Sequence, residues 1–235
     1  MKSKNDIQNE IKEILATKWN TRVGQKVPEP NDIGLANDAV KLDATVLYAD
    51  LKESTLMVNN FPASIAAEIY KCYLKGCCEI IKNNEGVITS FDGDRVMAVY
   101  IGDYKNTNAV KTALNINYFV LKILNPALKN QYEDLNYSVG QVVGIDTGEL
   151  FVARTGIRGD NDLVWVGNAA NLAAKMCSIR NIDGSTFISK KVYSRMCSSV
   201  KYKDDENKIN MWTKCMWSEY SEDIYSSTYY WGKFD

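Results

Sequence analysis

The stretch Phe91-Asp92-Gly93-Asp94-Arg95-Val96-Met97-Ala98-Val99-Tyr100 decides the fold that this sequence predicts. Its Asp-Gly-Asp centre indicates a tight hairpin turn, because glycine and aspartate accept the backbone conformations that short turns require. Apolar, β-prone residues flank the turn, and we expect strands over residues 86–91 and 95–101. Another β-prone run extends from Ala44 to Ala49 and ends at Asp50. Strands linked by hairpins in this way form antiparallel sheets.

Helical and extended segments alternate on either side of this hairpin. Helices are predicted over residues 62–83 and 105–125, and the second should end at Pro126 because proline lacks a backbone N–H. The same patterns predict a strand pair over 137–146 and 149–154 that turns around Thr147-Gly148, a strand over 162–166, a helix over 168–178, a strand over 185–189 and a short helix ending near 197. This order predicts an α+β fold with a mostly antiparallel sheet flanked by helices.

Both ends of the chain extend beyond this alternation. Residues 5–20 have an amphipathic pattern, typical of a helix that packs either on its own domain or against a second subunit. A linker that contains two prolines follows at residues 27–32. Residues 200–235 are rich in tryptophan and tyrosine, and either add strands to the sheet edge or form a binding surface. We therefore expect an N-terminal helix and linker (1–40), a central domain (41–198) and a C-terminal extension packed on that domain (199–235).

Composition argues against several classes of protein. The chain has 235 residues, 46% of them hydrophobic, and a formal net charge of -1, so a core is possible but no nucleic-acid-binding surface is indicated. It contains no histidine, and its six cysteines form no C-x-x-C pair, which argues against zinc sites. No segment has the character of a signal peptide or a membrane span. We expect reduced thiols, a cytoplasmic location, no membrane insertion and no nucleic-acid binding.

Separated segments of the chain carry residues suited to a metal-assisted site. Asp50 follows a buried strand and Asp94 lies in the hairpin turn, so the two carboxylates can meet on adjacent strands and bind Mg²⁺ or Mn²⁺. Asn171 and Lys175 are four residues apart and therefore share one face of the predicted helix. Taken singly, each has an ordinary explanation as a turn residue or a solvated helix side chain. Their joint occurrence is what indicates function.

Four motifs together resemble the catalytic domain of the class III adenylyl and guanylyl cyclases. They are Thr45-Val46-Leu47-Tyr48-Ala49-Asp50-Leu51, Gly93 through Tyr100, Gly144-Ile145-Asp146-Thr147-Gly148-Glu149, and Val166 through Lys175. The resemblance covers roughly residues 40–195. It implies a ferredoxin-like βαββαβ core and a head-to-tail homodimer whose active sites lie between the subunits.

The resemblance also implies a role for the matching residues near the metal site. Asp50 and Asp94 would bind two divalent ions, Mn²⁺ or Mg²⁺, with the Leu51 carbonyl as a further ligand. The backbone amides of Glu53-Ser54-Thr55 would bind the triphosphate of a nucleoside triphosphate substrate.

The remaining catalytic residues would come from the second subunit. There, Asn171 would orient the ribose and Lys175 would stabilise the α-phosphate. The family has an arginine at the latter position, and lysine keeps the charge but loses the two-pronged guanidinium. Arg95, and Arg158 in the loop of residues 156–160, are candidates for an additional cation or for structural ion pairs.

The positions that read the base depart from the family pattern. The lysine that reads purines is replaced by Ser90, and its polar partner is replaced by Val164. A site that leaves a base edge unpaired discriminates against that base, and the bulky neighbours Tyr48 and Trp165 narrow the pocket. These residues favour a pyrimidine, although the Ser90 hydroxyl can pair with either uracil or cytosine.

The motifs, together with residues 158–165 (Arg-Gly-Asp-Asn-Asp-Leu-Val-Trp), are similar to those of the bacterial pyrimidine cyclases of Pycsar antiphage systems. That resemblance implies conversion of UTP to cyclic UMP after infection, and a separate effector protein that binds the product. Three alternatives stay open. They are a cytidylate cyclase that forms cyclic CMP, an adenylyl cyclase with an unusual base pocket, and a catalytically silent nucleotide-binding module.

Overall fold

A computed structural model describes residues 2–133, 136–204 and 206–234. One mixed sheet in these residues contains β1 (Asn20–Val23), β2 (Asp38–Lys52), β3 (Val87–Asp92), β4 (Arg95–Tyr100), β5 (Gly140–Ile157), β6 (Asp160–Val166), β7 (Thr186–Ser189), β8 (Thr213–Trp217) and β9 (Glu222–Ser227). The helices are α1 (Lys4–Ala16), α2 (Ser54–Asn60), α3 (Ala63–Asn83), α4 (Lys105–Tyr118), α5 (Asn125–Gln131), α6 (Asn168–Met176), α7 (Lys190–Arg195) and α8 (Ser198–Lys201). A 3₁₀ turn lies at Pro30–Asp32 and a π-helical segment at Phe119–Leu124.

The strand order is that of a ferredoxin-like sheet with additions. The strands lie in the order β3-β4-β2-β5-β7-β9-β8, with β1 beside the start of β2 and β6 beside the end of β5. The pairs β1–β2 and β5–β7 are parallel, and the other strand pairs in the described residues are antiparallel. Strands β2 to β5, with α3 and α4 between them, follow the βαββαβ order. The predicted α+β fold, with its mostly antiparallel sheet, is confirmed.

Strand β2 is covered on both faces of the sheet. Its side chains Leu47 and Ala49 are buried in the core that α3 and α4 form. Val46 is buried on the opposite face, against alanines of α6. Successive side chains of a strand point to opposite faces, so Tyr48 and Asp50 point to the same side as α6. The sheet thereby places Asp50 on the face that the large helices do not cover.

The predicted turn at Thr147-Gly148 is wrong. Strand β5 runs through these residues without interruption, and β2 pairs with it from Ala39 to Lys52. The Thr147 hydroxyl donates a hydrogen bond of 3.1 Å to the carbonyl of Ala44 on the neighbouring strand. Gly148 does not have the positive φ that a tight turn would require. The long-range pairing with β2 therefore overrides the local turn preference of a Thr-Gly pair.

The helix that was expected to end at Pro126 continues past it. Helix α4 passes into the π-helical segment and then into α5, in which Pro126 lies in the first turn. Proline is accepted there because the N–H groups of a first turn have no partner within their helix. The π-helical segment changes the hydrogen-bond spacing just before the proline, and this lets a new helix begin.

Helix α1 keeps its apolar side chains exposed. It begins with a capping box between Ser3 and Asp6 and ends at Ala16, so the prediction of a helix to residue 20 is too long. None of its residues is buried, which argues against packing on its own domain. The side-chain amide of Asn37 donates to the carbonyls of Ile14 and Thr17, and these bonds attach the end of α1 to the sheet.

The C-terminal extension adds β8 and β9 to the sheet and then returns along α4. Strand β9 pairs with β7 on one side and with β8 on the other. The side-chain amide of Asn115 donates to the carbonyls of Trp231 and Lys233, both at 2.7 Å. Asn117 likewise donates to the carbonyl of Tyr229 at 2.8 Å. Of the two predicted alternatives for the aromatic segment, the structure shows added strands.

All six cysteines lie in the described part of the chain, and each is a free thiol. Burial raises the pKa of Cys77 and of Cys177, which keeps both groups protonated. No helix in the described ranges is long and apolar enough to span a membrane.

Gly144 allows α6 to lie directly on the sheet. A Cβ atom at this position would lie 2.1 Å from the carbonyl oxygen of Ala173, which belongs to the backbone of α6. Gly148, on the same strand, has ordinary space, since a Cβ atom there would lie 3.9 Å from the Ala169 side chain. The separation between α6 and β5 therefore depends on the missing side chain at Gly144.

We expect Gly144→Ala to lower the free energy of unfolding by about 1–3 kcal/mol, because the added methyl group must push α6 away from the sheet. Gly148→Ala is the matched control, and its free energy of unfolding should stay unchanged or rise by up to about 1 kcal/mol. Urea denaturation followed by circular dichroism measures both. Equal destabilisation by the two substitutions would contradict this account of α6 packing.

Candidate active site

Two carboxylates lie together at one end of the sheet. In the register of β2 and β4, Asp50 lies opposite Arg95, the residue that follows Asp94. The turn that carries Asp94 is tight because Gly93 adopts a φ of +61°, a value that glycine accepts readily. Asp50 and Asp94 are both partly buried. The fold thus brings Asp50 of β2 next to the turn that carries Asp94 at the start of β4.

The two carboxylates repel each other in this setting. Burial and the negative charge of Asp94 raise the pKa of Asp50 to about 6, against the lowering effect of Arg95 and Arg180. The Oδ2 atom of Asp94 is buried and accepts no hydrogen bond from any described residue. A buried acceptor without a donor is costly, and so are two like charges close together.

A divalent cation would relieve both costs. Mg²⁺ and Mn²⁺ prefer oxygen ligands, and one or two carboxylates with water and phosphate complete their coordination. Within the ranges that the structure describes, no three acidic or cysteine side chains converge as a metal cluster. The residues therefore fit ions that are shared with a phosphorylated substrate better than a site built from protein ligands alone.

The predicted base-reading residues lie one step further along the same strands. Ser90 lies opposite Met97 on β4, and Met97 lies opposite Tyr48 on β2, so these side chains form a row across the sheet. A register shift between Ile88 and Ser90 brings Ser90 onto this face. The row lies directly beside the row that contains Asp50.

Arg95 links the two rows. Its guanidinium lies 5.3 Å from the centre of the Tyr48 ring and donates a hydrogen bond of 2.6 Å to the Asp92 carboxylate. Its Nε atom is buried without a partner among the described residues. Arg95 is therefore held between the aromatic ring and the hairpin.

The segment predicted to bind the triphosphate leads from β2 into α2, a helix that the sequence did not indicate. Glu53 adopts a left-handed conformation with a φ of +59° and turns the chain out of the sheet. Ser54 and Thr55 form the first turn of α2, where backbone N–H groups have no partner within the helix. One end of the sheet thus collects most of the predicted residues: Tyr48, Asp50, Leu51, Glu53, Ser54, Thr55, Ser90, Asp94 and Arg95.

Asn171 and Lys175 are exposed on α6, away from the carboxylates of the same chain. The Nζ atom of Lys175 lies 4.5 Å from the centre of the Tyr220 ring, in the turn between β8 and β9. Strand β9 is three strands from β2, a distance of about 14 Å at the usual strand spacing. The Lys175 ammonium is therefore held towards the added strands and not towards β2, which carries Asp50.

Val164 and Trp165 lie on β6, which pairs with β5. Trp165 is opposite Val152 on β5, eight residues along that strand from Gly144, which is opposite Tyr48. Trp165 and Tyr48 nevertheless both pack against one core cluster, which contains Met97 and Val152. The predicted site residues on β2 and on α6 fall into separate groups within one chain. Arg158 is exposed in the turn between β5 and β6.

Two residues near these groups were not anticipated. Arg180 lowers the pKa of Asp50, and its guanidinium donates to the carbonyl of Cys177 at 2.6 Å. Tyr220 lies under Lys175. The sequence offers no pattern for either, because one follows the end of a helix and the other lies in an aromatic-rich segment of no clear periodicity.

Comparison with known proteins gives a consistent result. No protein-family model matches the chain. It is 44% identical over 229 residues to a uridylate cyclase from Burkholderia cepacia, with 96% of this chain and 97% of the relative covered. It is 42% identical over 230 residues to a uridylate cyclase from Xanthomonas perforans, with 97% of both chains covered. The chain belongs to the family of these cyclases.

The fold of this nucleotide cyclase agrees with that assignment. The crystal structure of the adenylyl cyclase CyaB from P. aeruginosa superposes with a TM-score of 0.67 at 19% identity, over 80% of this chain and 95% of that one. The predicted resemblance to the cyclase fold is therefore confirmed, and the uridylate cyclase relatives confirm the assignment of the chain as a nucleotide cyclase.

The pKa of Asp50 predicts a pH-dependent affinity for Mn²⁺. As the pH falls through about 6, Asp50 takes up a proton, which would compete with any ion bound at this carboxylate. The affinity should fall about tenfold between pH 7 and pH 5, since about one-tenth of a carboxyl group is ionised one unit below its pKa. Isothermal titration calorimetry with Mn²⁺ measures this. Asp50→Asn is the control and should bind weakly at both pH values; an affinity of the native protein that does not change with pH would contradict the prediction.

Proposed function

We propose that this cyclase converts UTP to 3′,5′-cyclic UMP and pyrophosphate in a site formed by two copies of the chain arranged head to tail. The observation that carries the proposal is that Lys175 of α6 is exposed and held at Tyr220 beside the added strands, whereas Asp50 lies on β2 next to the hairpin that carries Asp94. A two-fold symmetric dimer can bring the first group of one subunit to the second group of the other. Such a dimer has two equivalent sites.

The carboxylate end of the sheet would hold the reacting groups. Asp50 and Asp94, with the Leu51 carbonyl, would bind divalent ions, Mn²⁺ or Mg²⁺. When bound, these ions supply charge that favours the 3′-oxygen as an alkoxide and the pyrophosphate as a leaving group. The backbone N–H groups of Ser54 and Thr55 would donate to the triphosphate, as helix N-termini do for anions.

The partner subunit would complete the site. Asn171 of the partner subunit would hydrogen-bond the ribose and orient its 3′-hydroxyl towards the α-phosphorus. Lys175 of the partner subunit would donate to the α-phosphate oxygens, on which negative charge accumulates. The 3′-oxygen forms a bond to the α-phosphorus, the bond to the pyrophosphate breaks, and the 3′-hydroxyl proton passes to solvent. Because the attack is intramolecular, orientation supplies much of the rate enhancement.

The row of Tyr48 and Ser90 supports a pyrimidine base. Neither side chain has the length and charge of the lysine that reads purines in class III cyclases, and the Tyr48 ring occupies space beside the carboxylates. Val164 and Trp165 of the partner subunit would close the pocket from the other side. The Ser90 hydroxyl can pair with uracil or with cytosine. The preference for uracil is supported by the relatives, which are uridylate cyclases.

The biological role that we propose is that of a signalling enzyme. Cyclic UMP would act as a second messenger in antiphage defence and bind a separate effector protein in the cytoplasm. This role is supported by the similarity of the motifs to the cyclases of Pycsar systems.

The substrate is tested by incubating the purified protein with UTP, CTP, ATP and GTP in turn, with Mn²⁺, and identifying the products by mass spectrometry. We expect cyclic UMP as the main product, with Asp94→Asn as the inactive control. Cyclic CMP would contradict the choice of uracil, and a cyclic purine nucleotide would contradict the interpretation of Ser90. If none of the four nucleotides gave a cyclic product, the proposed catalytic activity would be contradicted.

The shared site is tested by mixing an inactive carboxylate variant with a Lys175 variant of much reduced activity. In a heterodimer of Asp50→Asn and Lys175→Ala subunits, one of the two sites keeps every residue, so about one quarter of the native rate should return after random exchange. A mixture of Asp50→Asn and Asp94→Asn is the matched control, because every site in it lacks a carboxylate. If neither mixture regains activity although native mass spectrometry shows that the subunits exchange, the site is not formed by two copies.

A further inference from the structure

The ammonium group of Lys175 is held by an aromatic ring of the C-terminal extension. Its Nζ atom lies 4.5 Å from the centre of the Tyr220 ring, well within the range of a cation–π contact. Tyr220 lies in the turn that joins β8 to β9. The aromatic extension therefore contacts a residue of the proposed catalytic group.

The Tyr220 ring is itself fixed in place. Its centre lies 4.2 Å from that of Trp217, and its backbone N–H donates to the Trp217 carbonyl at 3.2 Å. Trp217 is only 4% exposed and lies in a core cluster with Met176 and Ile179. Met176 is the last residue of α6, so this cluster packs against both α6 and the Tyr220 ring. The helix that carries Lys175 is thereby fixed relative to the ring.

The fixed Tyr220 ring can restrict the orientation of the Lys175 side chain, which a lysine does not do by itself. A lysine side chain has a flexible stem and a point charge, whereas an arginine has a planar fork that orients itself on a phosphate. A ring beside the ammonium restricts the positions that the charge can take, and this lowers the entropy lost when it meets the phosphate. Asn171 lies on the same side of α6 and needs no such restriction, because its side chain is short.

We propose that Tyr220 is a positioning residue that orients Lys175 towards the α-phosphate bound by the other subunit. This proposal rests on the proposed function, in which Lys175 stabilises the transition state. In this proposal the β8–β9 turn affects the reaction through Lys175, although no group of the turn touches the substrate. Because the effect operates through Lys175, it should alter kcat more than KM.

The test compares three single variants of the full-length protein with UTP and Mn²⁺. Tyr220→Leu should lower kcat by about two- to fivefold, the range for an exposed cation–π contact, with KM nearly unchanged. Tyr220→Phe keeps the ring and should retain the native kcat within error. Tyr230→Leu is the matched control, because it removes a similar contact in the same extension, in which Lys122 lies 5.1 Å from the Tyr230 ring. It should leave kcat unchanged.

A double variant shows whether the effect passes through the lysine. In a Lys175→Ala background, Tyr220→Leu should cause no further loss of the residual rate. The positioning role is overturned if Tyr220→Leu leaves kcat unchanged or raises it, if Tyr230→Leu lowers kcat equally, or if the loss persists without Lys175. A full rate for Lys175→Ala alone would instead overturn the assignment of Lys175 in the proposed function. The two failures are therefore distinguishable.

Discussion

The antiparallel pairing of β2 with β5 is the constraint on which the other features depend. The ladder extends from Ala39 to Lys52, and a slip of one residue would turn every side chain of β2 to the opposite face. Asp50 would then enter the core of α3 and α4, and Leu51 would take its place. The same ladder brings Gly144 opposite Tyr48 and under α6. The register of β2 and β5 thus determines which face Asp50 occupies and where α6, which carries Asn171, packs on the sheet.

Sequence patterns predicted those elements that local chemistry determines. The Asp92–Arg95 hairpin forms as expected, because the conformation of Gly93 satisfies the turn without help from distant residues. Thr147 and Gly148 have turn chemistry of comparable strength, yet they lie within a ladder that joins residues about a hundred positions apart. Pro126 was similarly misjudged, since a π-helical segment is not visible in a pattern of apolar residues.

The same distinction applies to the site. Asp50 and Asp94 could be found because the first ends a β-prone run and the second lies in a hairpin turn, and paired strands bring such positions together. Strand β2 in fact continues past Asp50 to Lys52. The row of Ser90 and Tyr48 depends on a register shift next to Thr89 that no residue type indicates. The contact of Lys175 with Tyr220 joins two segments that lie far apart in the sequence, and only the packing of α6 against the added strands creates it. The expected roles of these residues came from the family resemblance. Their placement, with Asp50 and Asp94 at one end of the sheet and Lys175 beside Tyr220, is visible only in the fold.

The place of β9 in the sheet has a consequence for biosynthesis. Strand β9 lies between β7 and β8, and the residues after it accept hydrogen bonds from Asn115 and Asn117 of α4. A ribosome makes α4 more than a hundred residues before the segment that accepts these bonds. The side-chain amides of Asn115 and Asn117 therefore exist long before their acceptors. Until β9 and the residues after it have been made, β7 has an open edge and α4 lacks its final cover. The contact between Lys175 and Tyr220 therefore forms only after most of the sheet has been synthesised.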